Sequence, residues 1–301
     1  MLRPRIAFAT AVLVVAVLAV GPPAPAGADP SVFQVHPGPN AIQNALAAAH
    51  ANDILNLHAG VYRVPNGLAV NKPIVIRSAG DGVVTIDGRC QVGFTIDVNA
   101  SNVRLRGLRV VGADEGFDSY PAEVFFSYVT KGEISGSITA NTCGGAEYGI
   151  SVFNSGPVKV LDNTAFGFDD SGIYIGGIVN TGDGTLMVRG NRSRDSMQGI
   201  IVEDSSGTIA VVDNRVRHNL RDGPLANAGI YVRNSDGVRI RDNAITNNGA
   251  DGIVLDSTSD LNRVIGNTVA NHDVDLRNQG SGNCFTGNTY ATSEGDVGDP
   301  C

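Results

Sequence analysis

The sequence predicts an all-β solenoid, in which short strands wind into stacked coils. The first observation is a repeat: the pattern Gly-Ile-Xaa-Val at Gly149–Val152 returns with small changes and weakens at Asp273–Leu276. The second is an Asn that follows a Gly or Asp in each copy. The third is the spacing of the copies, 21 to 30 residues, which is typical of a solenoid coil rather than a globular domain. The full copies begin at Gly149, Gly172, Gly199, Gly229 and Gly252.

Each copy has the alternation of a β-strand. Ile150 and Val152 should face a core, while Ser151 and Phe153 should face the other way. A second apolar run in each copy, such as Val158–Val160, alternates in the same manner. Because no helical period lies between the runs, the pattern favours a β-solenoid over a βαβ fold.

The repeated Asn residues have a structural explanation. Asn enters the left-handed backbone region more readily than most residues, as a tight turn requires. In coils stacked about 4.8 Å apart, equivalent Asn side chains can also hydrogen-bond to one another along the stack. We therefore expect a ladder of Asn163, Asn191, Asn214, Asn243, Asn267 and Asn288, with Asn141 opening the series.

The first 28 residues have the pattern of a secretory signal peptide. Arg3 and Arg5 precede the apolar run Ile6–Val20, and the small residues Ala26–Ala28 suit a cleavage site. The run is short for a membrane span, and no other stretch resembles one. We predict a secreted, extracellular protein with one domain over 29–301, comprising a cap at about 33–60, coils at about 54–288 and a tail at 289–301.

The charge balance limits the partners. The chain has 22 basic and 30 acidic residues and a net charge of −8; without Arg3 and Arg5, 20 basic residues face 30 acidic ones. An acidic exported protein is a poor partner for nucleic acid, which requires clustered Lys and Arg. It also suits a polyanionic polysaccharide only when a cation mediates the contact. Oligomeric state is left open.

Four cysteines remain after cleavage in an oxidising compartment. Four Cys allow three connectivities. Of these, we favour Cys284 with Cys301, which would close the tail over the last coil, together with Cys90 and Cys143. No Cys-Xaa-Xaa-Cys or paired His accompanies them, so a metal role for the cysteines is disfavoured.

The N-terminal part of the mature chain departs from the repeat. Ile42, Ala45, Leu46 and Ala49 share one face of a short helix, for which Asn40 is an N-cap candidate. Strands should begin at about Asp53–Tyr62. A helix before the first coil is reasonable, because the open end of a solenoid exposes core and unpaired strand edges.

These segments carry a resemblance. Ile42–Ala45, Asp53–Ile54 and Ala59–Tyr62, with the Gly-Ile-Xaa-Val and Gly-Asn copies, resemble secreted right-handed parallel β-helix proteins of the pectin-lyase-like superfamily. The resemblance covers about Phe33 to Asn288. It implies a right-handed parallel β-helix. That superfamily includes polysaccharide lyases, glycoside hydrolases, alginate epimerases and non-catalytic surface proteins, so the fold alone does not give the activity.

The resemblance leaves two function classes. In the first, the protein binds or processes an extracellular polysaccharide, as a lyase or epimerase if it is catalytic, with hydrolysis less favoured. In the second, it is a non-catalytic glycan-binding or surface scaffold. The sequence contains no recognisable catalytic motif, so whether the protein is an enzyme stays open.

The outward positions of the repeat strands supply the candidate site. The position after each Val or Leu gives Glu203, Arg233, Asp256 and Arg277 in successive coils. One reading assigns Glu203, Arg233 and Asp256 to catalysis on a uronide, with Arg277 binding substrate. The other is an ion ladder of pairs worth about 0.2–1 kcal/mol each. Two positions earlier, Tyr174 and Tyr231 can stack on sugar rings or serve only as β-formers.

Loop carboxylates give two further candidates. Asp169, Asp170 and Asp204 flank the repeat strands and have the hard oxygen ligands that Ca²⁺ prefers; Asp is also an ordinary turn residue. Calcium is the one cofactor that this pattern suggests. The segment Gly112–Glu123 interrupts the coil rhythm, and its four carboxylates, with Phe117 and Tyr120, would suit the lip of a groove.

Overall fold

The computed structural model describes residues 29–116, 118, 120–179, 181–220, 227–298 and 300–301. The predicted signal peptide, residues 1–28, lies outside this range, as does Phe117. The one helix among the described residues is α1 (Ala41–Ala48), and thirty strands accompany it.

The strands are short, and they follow one another in a repeating order of three. The first fifteen are β1 (Val32–Val35), β2 (Ile54–Leu57), β3 (Gly60–Arg63), β4 (Leu68–Val70), β5 (Val75–Ser78), β6 (Val84–Val92), β7 (Phe94–Val98), β8 (Val103–Arg106), β9 (Arg109–Ala113), β10 (Ala122–Ser127), β11 (Gly132–Ser135), β12 (Ile138–Ala140), β13 (Tyr148–Phe153), β14 (Val158–Leu161) and β15 (Thr164–Phe166). The others are β16 (Ser171–Gly176), β17 (Leu186–Arg189), β18 (Arg192–Arg194), β19 (Gln198–Glu203), β20 (Ile209–Val212), β21 (Arg215–Arg217), β22 (Ala228–Arg233), β23 (Arg239–Arg241), β24 (Ala244–Thr246), β25 (Asp251–Leu255), β26 (Arg263–Ile265), β27 (Thr268–Ala270), β28 (Val274–Asn278), β29 (Cys284–Thr286) and β30 (Ser293–Glu294).

Within the described residues, the strands form three parallel sheets. Sheet A has eleven strands in the order β1-β2-β5-β8-β11-β14-β17-β20-β23-β26-β29. Sheet B has nine, from β3 to β27, and sheet C has ten, from β4 to β30. Each coil contributes one strand to each sheet, so the predicted right-handed parallel β-helix is confirmed.

The core is a continuous column of aliphatic side chains inside the coils. Ile150 and Val152 are fully buried, as the alternation predicted, and equivalent residues in each coil stack on them. The repeated Gly is needed because its neighbours leave no space. A Cβ on Gly199 would lie 2.1 Å from Val216 and 2.4 Å from the Gly229 carbonyl oxygen.

The predicted Asn ladder runs through the turn between sheets A and B. The backbone N–H and side-chain amide of Asn191 donate to Asn214 Oδ1 at 2.9 and 3.0 Å, and the same pair of bonds repeats from Asn163 to Asn288. Each side-chain amide from Asn163 to Asn288 also donates to a strand carbonyl in the preceding coil. The amides are thereby satisfied although five of the six residues are buried.

Four details differ from the sequence prediction. The left-handed residue of each ladder turn is the Asp or Gly before the Asn, such as Asp162 or Gly190, and not the Asn itself. Asn141 does not open the ladder: its side chain accepts from Gly144 N and donates to the Ala146 carbonyl, so it closes a local turn. Asn40 precedes α1 in the left-handed conformation but makes no side-chain capping bond. Sheet A begins before the helix, because the alternating residues of β1 pair with β2.

Both predicted disulfides are present. Cys90 is bonded to Cys143 and Cys284 to Cys301. The second closes the C-terminal tail over the last coil, where β30 pairs with β28. Each bridge limits the freedom of the unfolded chain.

The ladder gives a stability prediction. Asn214→Ala leaves the N–H of Asn191 and the carbonyl of Val188 without their buried partner, and each such group costs about 1–3 kcal/mol. We expect the free energy of unfolding to fall by about 2–5 kcal/mol in urea denaturation. The matched control Asn66→Ala, at an exposed turn position outside the left-handed region, should change it by less than about 0.5 kcal/mol. Equal values for the two variants would contradict the structural role of the ladder.

Candidate functional site

The outer face of sheet C carries two parallel rows of side chains. One row, in strand register, is Ser151, Tyr174, Ile201, Tyr231, Val254 and Arg277. The other is Phe153, Gly176, Glu203 and Arg233. Since the coils are stacked in register, residues distant in sequence meet on this face.

The register of the last coil differs from the prediction. Leu276 pairs with Ile253, so Asp275 occupies the position equivalent to Gly252, and Arg277 lies beside Val254 rather than beyond Asp256. A side chain is tolerated there because the C-terminal tail, not another full coil, follows. The Asp275 carboxylate accepts hydrogen bonds from the backbone of Ala291 and Thr292 and contacts His272.

An aromatic groove of about 450 Å³ opens on the N-terminal half of this face. The Phe94 and Phe125 rings stack at 4.4 Å, and those of Tyr148 and Tyr174 lie 4.7 Å apart. We define the aromatic groove by its lining residues, which are Phe94, Asp118, Tyr120, Phe125, Tyr148, Ser151, Phe153, Tyr174, Glu203 and Asp204. Ring faces beside carboxylates provide both stacking surfaces and hydrogen-bond acceptors.

A larger and more open groove, about 870 Å³, adjoins the aromatic one. It is walled mainly by turns, including Gly177, Thr181 and Gly184. Tyr128, which lines it, meets Phe153 edge to face at 6.5 Å between ring centroids. The two grooves therefore meet at this aromatic pair.

Glu203 is held at the end of the aromatic groove by two partners. The Tyr174 hydroxyl donates to Glu203 Oε2 at 3.0 Å, and Arg233 Nη1 lies 2.8 Å from Oε1. Of the predicted catalytic residues, the structure thus brings Glu203 and Arg233 into contact. Arg233 neutralises Glu203 and is not among the residues that line the groove.

Asp256 and Arg277 do not extend this ion pair. The Asp256 carboxylate accepts hydrogen bonds from Thr258 Oγ1 and Ser259 Oγ, both at 2.8 Å, and thereby closes a turn. Arg277 contacts Asp251 at 3.0 Å and also Glu294. The predicted alternation of Glu, Arg, Asp and Arg is therefore a single pair, Glu203 with Arg233, followed by side chains with other partners.

The two predicted substrate tyrosines differ in surroundings. Tyr174 lines the aromatic groove, half-buried beside Tyr148. Tyr231 lies two coils further on, between Ile201 and Val254, and outside the groove lining. Burial raises the pKa of both hydroxyls, so each stays protonated and able to donate at neutral pH.

Two more carboxylates lie behind Tyr148. Burial, reinforced by repulsion from Glu147, raises the pKa of Asp170 to about 7, although a hydrogen bond from Tyr148 opposes the rise. Burial also raises the pKa of Glu147. Asp170 is therefore partly protonated near neutral pH, the condition in which a carboxyl group can both give and take a proton.

The predicted calcium ligands are not gathered into one shell. Asp204 accepts from Asn234 Nδ2 at 2.7 Å, whereas Asp169 and Asp170 precede β16. Among residues with a described position, no group of three or more His, Cys, Asp or Glu side chains could hold a metal ion. Calcium at these residues stays a prediction.

The interrupting loop is divided between the groove and the core. Asp118 and Tyr120 line the aromatic groove, as expected of a lip. Glu123 instead belongs to β10 and is fully buried. It accepts from Thr95 Oγ1 at 2.8 Å and from Gly112 N at 3.0 Å, and burial raises its pKa to about 8.

Sequence reasoning missed Phe94, Phe125 and Tyr148 as groove residues. The strands β7 and β10 are earlier members of the sheet C series, but they lack the Gly-Ile signature, so the repeat did not lead to them. Tyr148 directly precedes Gly149, the first residue of the repeated motif. The sequence signal that could have identified Phe94 and Phe125 is the alternation of apolar and other residues in Phe94–Val98 and Val124–Phe126.

Comparison with family models gives the affiliation. The model described as Periplasmic copper-binding protein (NosD) matches residues 128–299, more than half of the chain. The chain belongs to the NosD family. The comparison with curated proteins gave no match.

Solved structures agree with the fold. The chain is similar to the pectate lyase Pel9A, with 14% identity, coverage of 90% of this chain and 80% of that one, and a TM-score of 0.63. It also matches the Azotobacter vinelandii mannuronan C-5 epimerase AlgE4 A-module, with 15% identity, coverage of 87% and 94%, and a TM-score of 0.47. At such identities the first likeness shows the fold alone, and the second carries no argument.

The family description raises the question of copper, which His and Cys side chains bind well. In this NosD-family chain the four Cys are joined in disulfides. The buried His272 ring bonds to Asp275 through Nδ1 and lies 3.2 Å from Asn248 Nδ2 through Nε2. His36 and His58 stack at 4.1 Å, but both ring nitrogens of His58 are bonded, to Asp81 and Gln34. Among the described residues no group of three His, Cys, Asp or Glu could hold a metal ion, so they do not fit a copper centre, and we derive no step through copper.

Glu123 gives a pH prediction. The unfolded carboxyl loses its proton near pH 4.5, whereas the folded one keeps it up to about pH 8. The folded state therefore binds more protons over this interval, and stability falls as pH rises through it. Glu123→Gln removes this dependence, so the melting temperature of the variant relative to the wild type should rise from pH 4.5 to pH 8.

The exposed Glu115→Gln serves as the control and should follow the wild-type profile. A Glu123→Gln profile parallel to that of the wild type, measured by calorimetry across the interval, would contradict the assignment of a protonated carboxyl group to the core.

Proposed function

We propose that this NosD-family protein is exported and binds a polysaccharide in the aromatic groove. The observation that carries the proposal is two pairs of rings, the stacked Phe94 and Phe125 and the tilted Tyr148 and Tyr174, on one open face beside Asp118 and Glu203. Sugar rings present apolar C–H faces and hydroxyl edges. Aromatic faces and carboxylate acceptors complement both.

The charge of the groove favours neutral sugars over uronates. Asp118, Glu203 and Asp204 line it, and no Lys or Arg is among its described lining residues. Arg233, the nearest cation on the strand face, is bonded to Glu203. A uronate polymer would therefore be repelled by Asp118 and Asp204, which have no such partner among the described residues, unless a cation were interposed.

A second candidate function is chemistry on the bound glycan. The observation in its favour is Asp170, whose pKa burial raises to about 7 and which bonds to Tyr148 of the groove lining, although Asp170 itself does not line the groove. The lyase or epimerase alternative would in addition need a cation to neutralise the uronate carboxylate, and Arg233 is already paired. Binding is therefore the function that the geometry supports better.

Export is part of the proposal. It is supported by the signal-peptide pattern of residues 1–28, the two disulfides and the periplasmic description of the family. None of the helices in the described part of the chain is long and apolar enough to cross a membrane.

The test measures, by isothermal titration calorimetry, the affinity of the purified protein for a panel of neutral oligosaccharides, polygalacturonate and alginate. Tyr174→Ala removes one stacking face, which we expect to weaken binding of the best neutral oligosaccharide about tenfold. Tyr231→Ala is the matched control, because it removes the same side chain from the same face outside the groove. It should leave the affinity within about twofold.

Unchanged affinity in Tyr174→Ala would contradict the groove as the binding site. Tyr174→Phe separates the two contributions, since it keeps the ring and loses only the hydrogen bond to Glu203. Its affinity should stay closer to that of the wild type than the affinity of Tyr174→Ala.

A further inference from the structure

The basic residues of this acidic chain are concentrated on the surface away from the groove. Strands β17, β18, β21, β23 and β26 place arginines on the outer faces of sheets A and B, on both sides of the Asn ladder. We define the arginine ladder as Arg189, Arg192, Arg194, Arg215, Arg217, Arg239, Arg241 and Arg263. All but the partly buried Arg194 are exposed.

Several of these arginines stand directly beside one another. Arg192 pairs in register with Arg215, and Arg194 pairs with Arg217 on the same two strands. Arg239 pairs with Arg263 on sheet A. Neighbouring parallel strands are about 4.8 Å apart, and like charges placed directly opposite one another destabilise a sheet.

Local acids only partly compensate this charge. Arg194 contacts Asp195 and Arg241 contacts Asp242. Among the described residues, the other six arginines of the ladder have no carboxylate within ion-pair distance. Counting the turn residues Asp162, Asp195, Asp213, Asp236, Asp242 and Asp260, eight guanidiniums face six carboxylates. Although the chain has 30 acidic residues, arginines outnumber carboxylates on this surface.

We propose that the arginine ladder binds a linear anionic polysaccharide lying along the axis of the solenoid. Arginines recur along that axis from β17 to β26, a span of about 14 Å on sheet A, although the outward residues of β20 are Ala210 and Val212. A linear polymer with a repeated negative charge can contact both groups of paired arginines, those of β18 with β21 and those of β23 with β26. The guanidinium fork can bind a carboxylate through two hydrogen bonds, and a bound anion removes the repulsion between arginines in register.

The two surfaces have opposite charges, so we expect them to bind different ligands. The aromatic groove carries carboxylates and repels a polyanion, whereas the arginine ladder attracts one. The proposal does not rest on groove binding, because the residues and the ligand charge are different. Among the described residues, no large exposed apolar side chain belongs to the strands of the arginine ladder. A surface that binds a bilayer normally inserts apolar side chains into it. The ladder strands therefore suit a soluble polymer better than a membrane.

The experiment measures the binding of polygalacturonate to the full protein, with EDTA present so that calcium cannot join the polymer to the acidic groove. The test variant is Arg192→Gln with Arg215→Gln, which neutralises one pair in register. We expect the affinity to fall about tenfold and its dependence on salt to weaken. The melting temperature should be unchanged or higher, because a repulsive pair has been removed.

The matched control is Arg63→Gln with Arg89→Gln, which makes the same change in net charge at exposed positions near the N-terminal end. It should bind as the wild type does. Equal loss in both variants would overturn the proposal, since it would show a response to net charge alone. Undiminished binding by the test variant, or tighter binding of anionic phospholipid vesicles or duplex DNA than of polygalacturonate, would also overturn it.

Discussion

The whole structure depends on one repeated interaction, the hydrogen bonding of buried Asn side chains from coil to coil. Each amide accepts from the Asn of the coil before it and donates to the coil after it, so the turn between sheets A and B keeps one shape. An amide left unpaired in this interior would cost more than a bond contributes. From Asn163 to Asn288 the ladder therefore holds the coils at one spacing and in one register.

Register in turn decides the chemistry of the surface. In a parallel stack, an outward residue always lies about 4.8 Å above its equivalent, so any repeated residue type becomes a row. Arg residues at the ends of β18 and β21 become pairs of adjacent cations, whereas the aromatic rings of the groove meet between positions that are not in register, such as Phe94 with Phe125 and Tyr148 with Tyr174. A protein with net charge −8 can thus have a positive surface and an acidic groove.

The sequence was sufficient for the fold because each part of the repeat has one physical purpose. Gly199 is required where a Cβ would collide with the next coil, and Asn214 where a turn must be bonded along the stack. Both disulfides also followed from the predicted capping of the last coil and the even Cys count. Asn141 misled because it lies in the turn after β12, between sheets B and C, whereas the ladder position of its coil is Ser137, whose N–H donates to Asn163 Oδ1.

The site was less accessible from sequence for two reasons. A register error of two residues in the last coil moved Arg277 away from Asp256, and no local pattern marks where the C-terminal tail replaces a coil. The groove also depends on Phe94 and Phe125, which precede the recognisable repeat. Tyr174 was identified because it lies inside a clear copy of the Gly-Ile-Xaa-Val repeat, and Glu203 because it directly follows another. Their hydrogen bond could be recognised only once the structure showed how the coils are aligned.

The most direct measurement is hydrogen–deuterium exchange of the protein with and without the neutral oligosaccharide that binds best. Strand backbone under a bound ligand exchanges more slowly because local opening is suppressed. The account predicts slower exchange in Tyr148–Phe153, Ser171–Gly176 and the end of Gln198–Glu203, with no change in Arg215–Arg217. Slowed exchange confined to Arg192–Arg194 and Arg215–Arg217, with the groove strands unchanged, would contradict the assignment of the glycan to the aromatic groove.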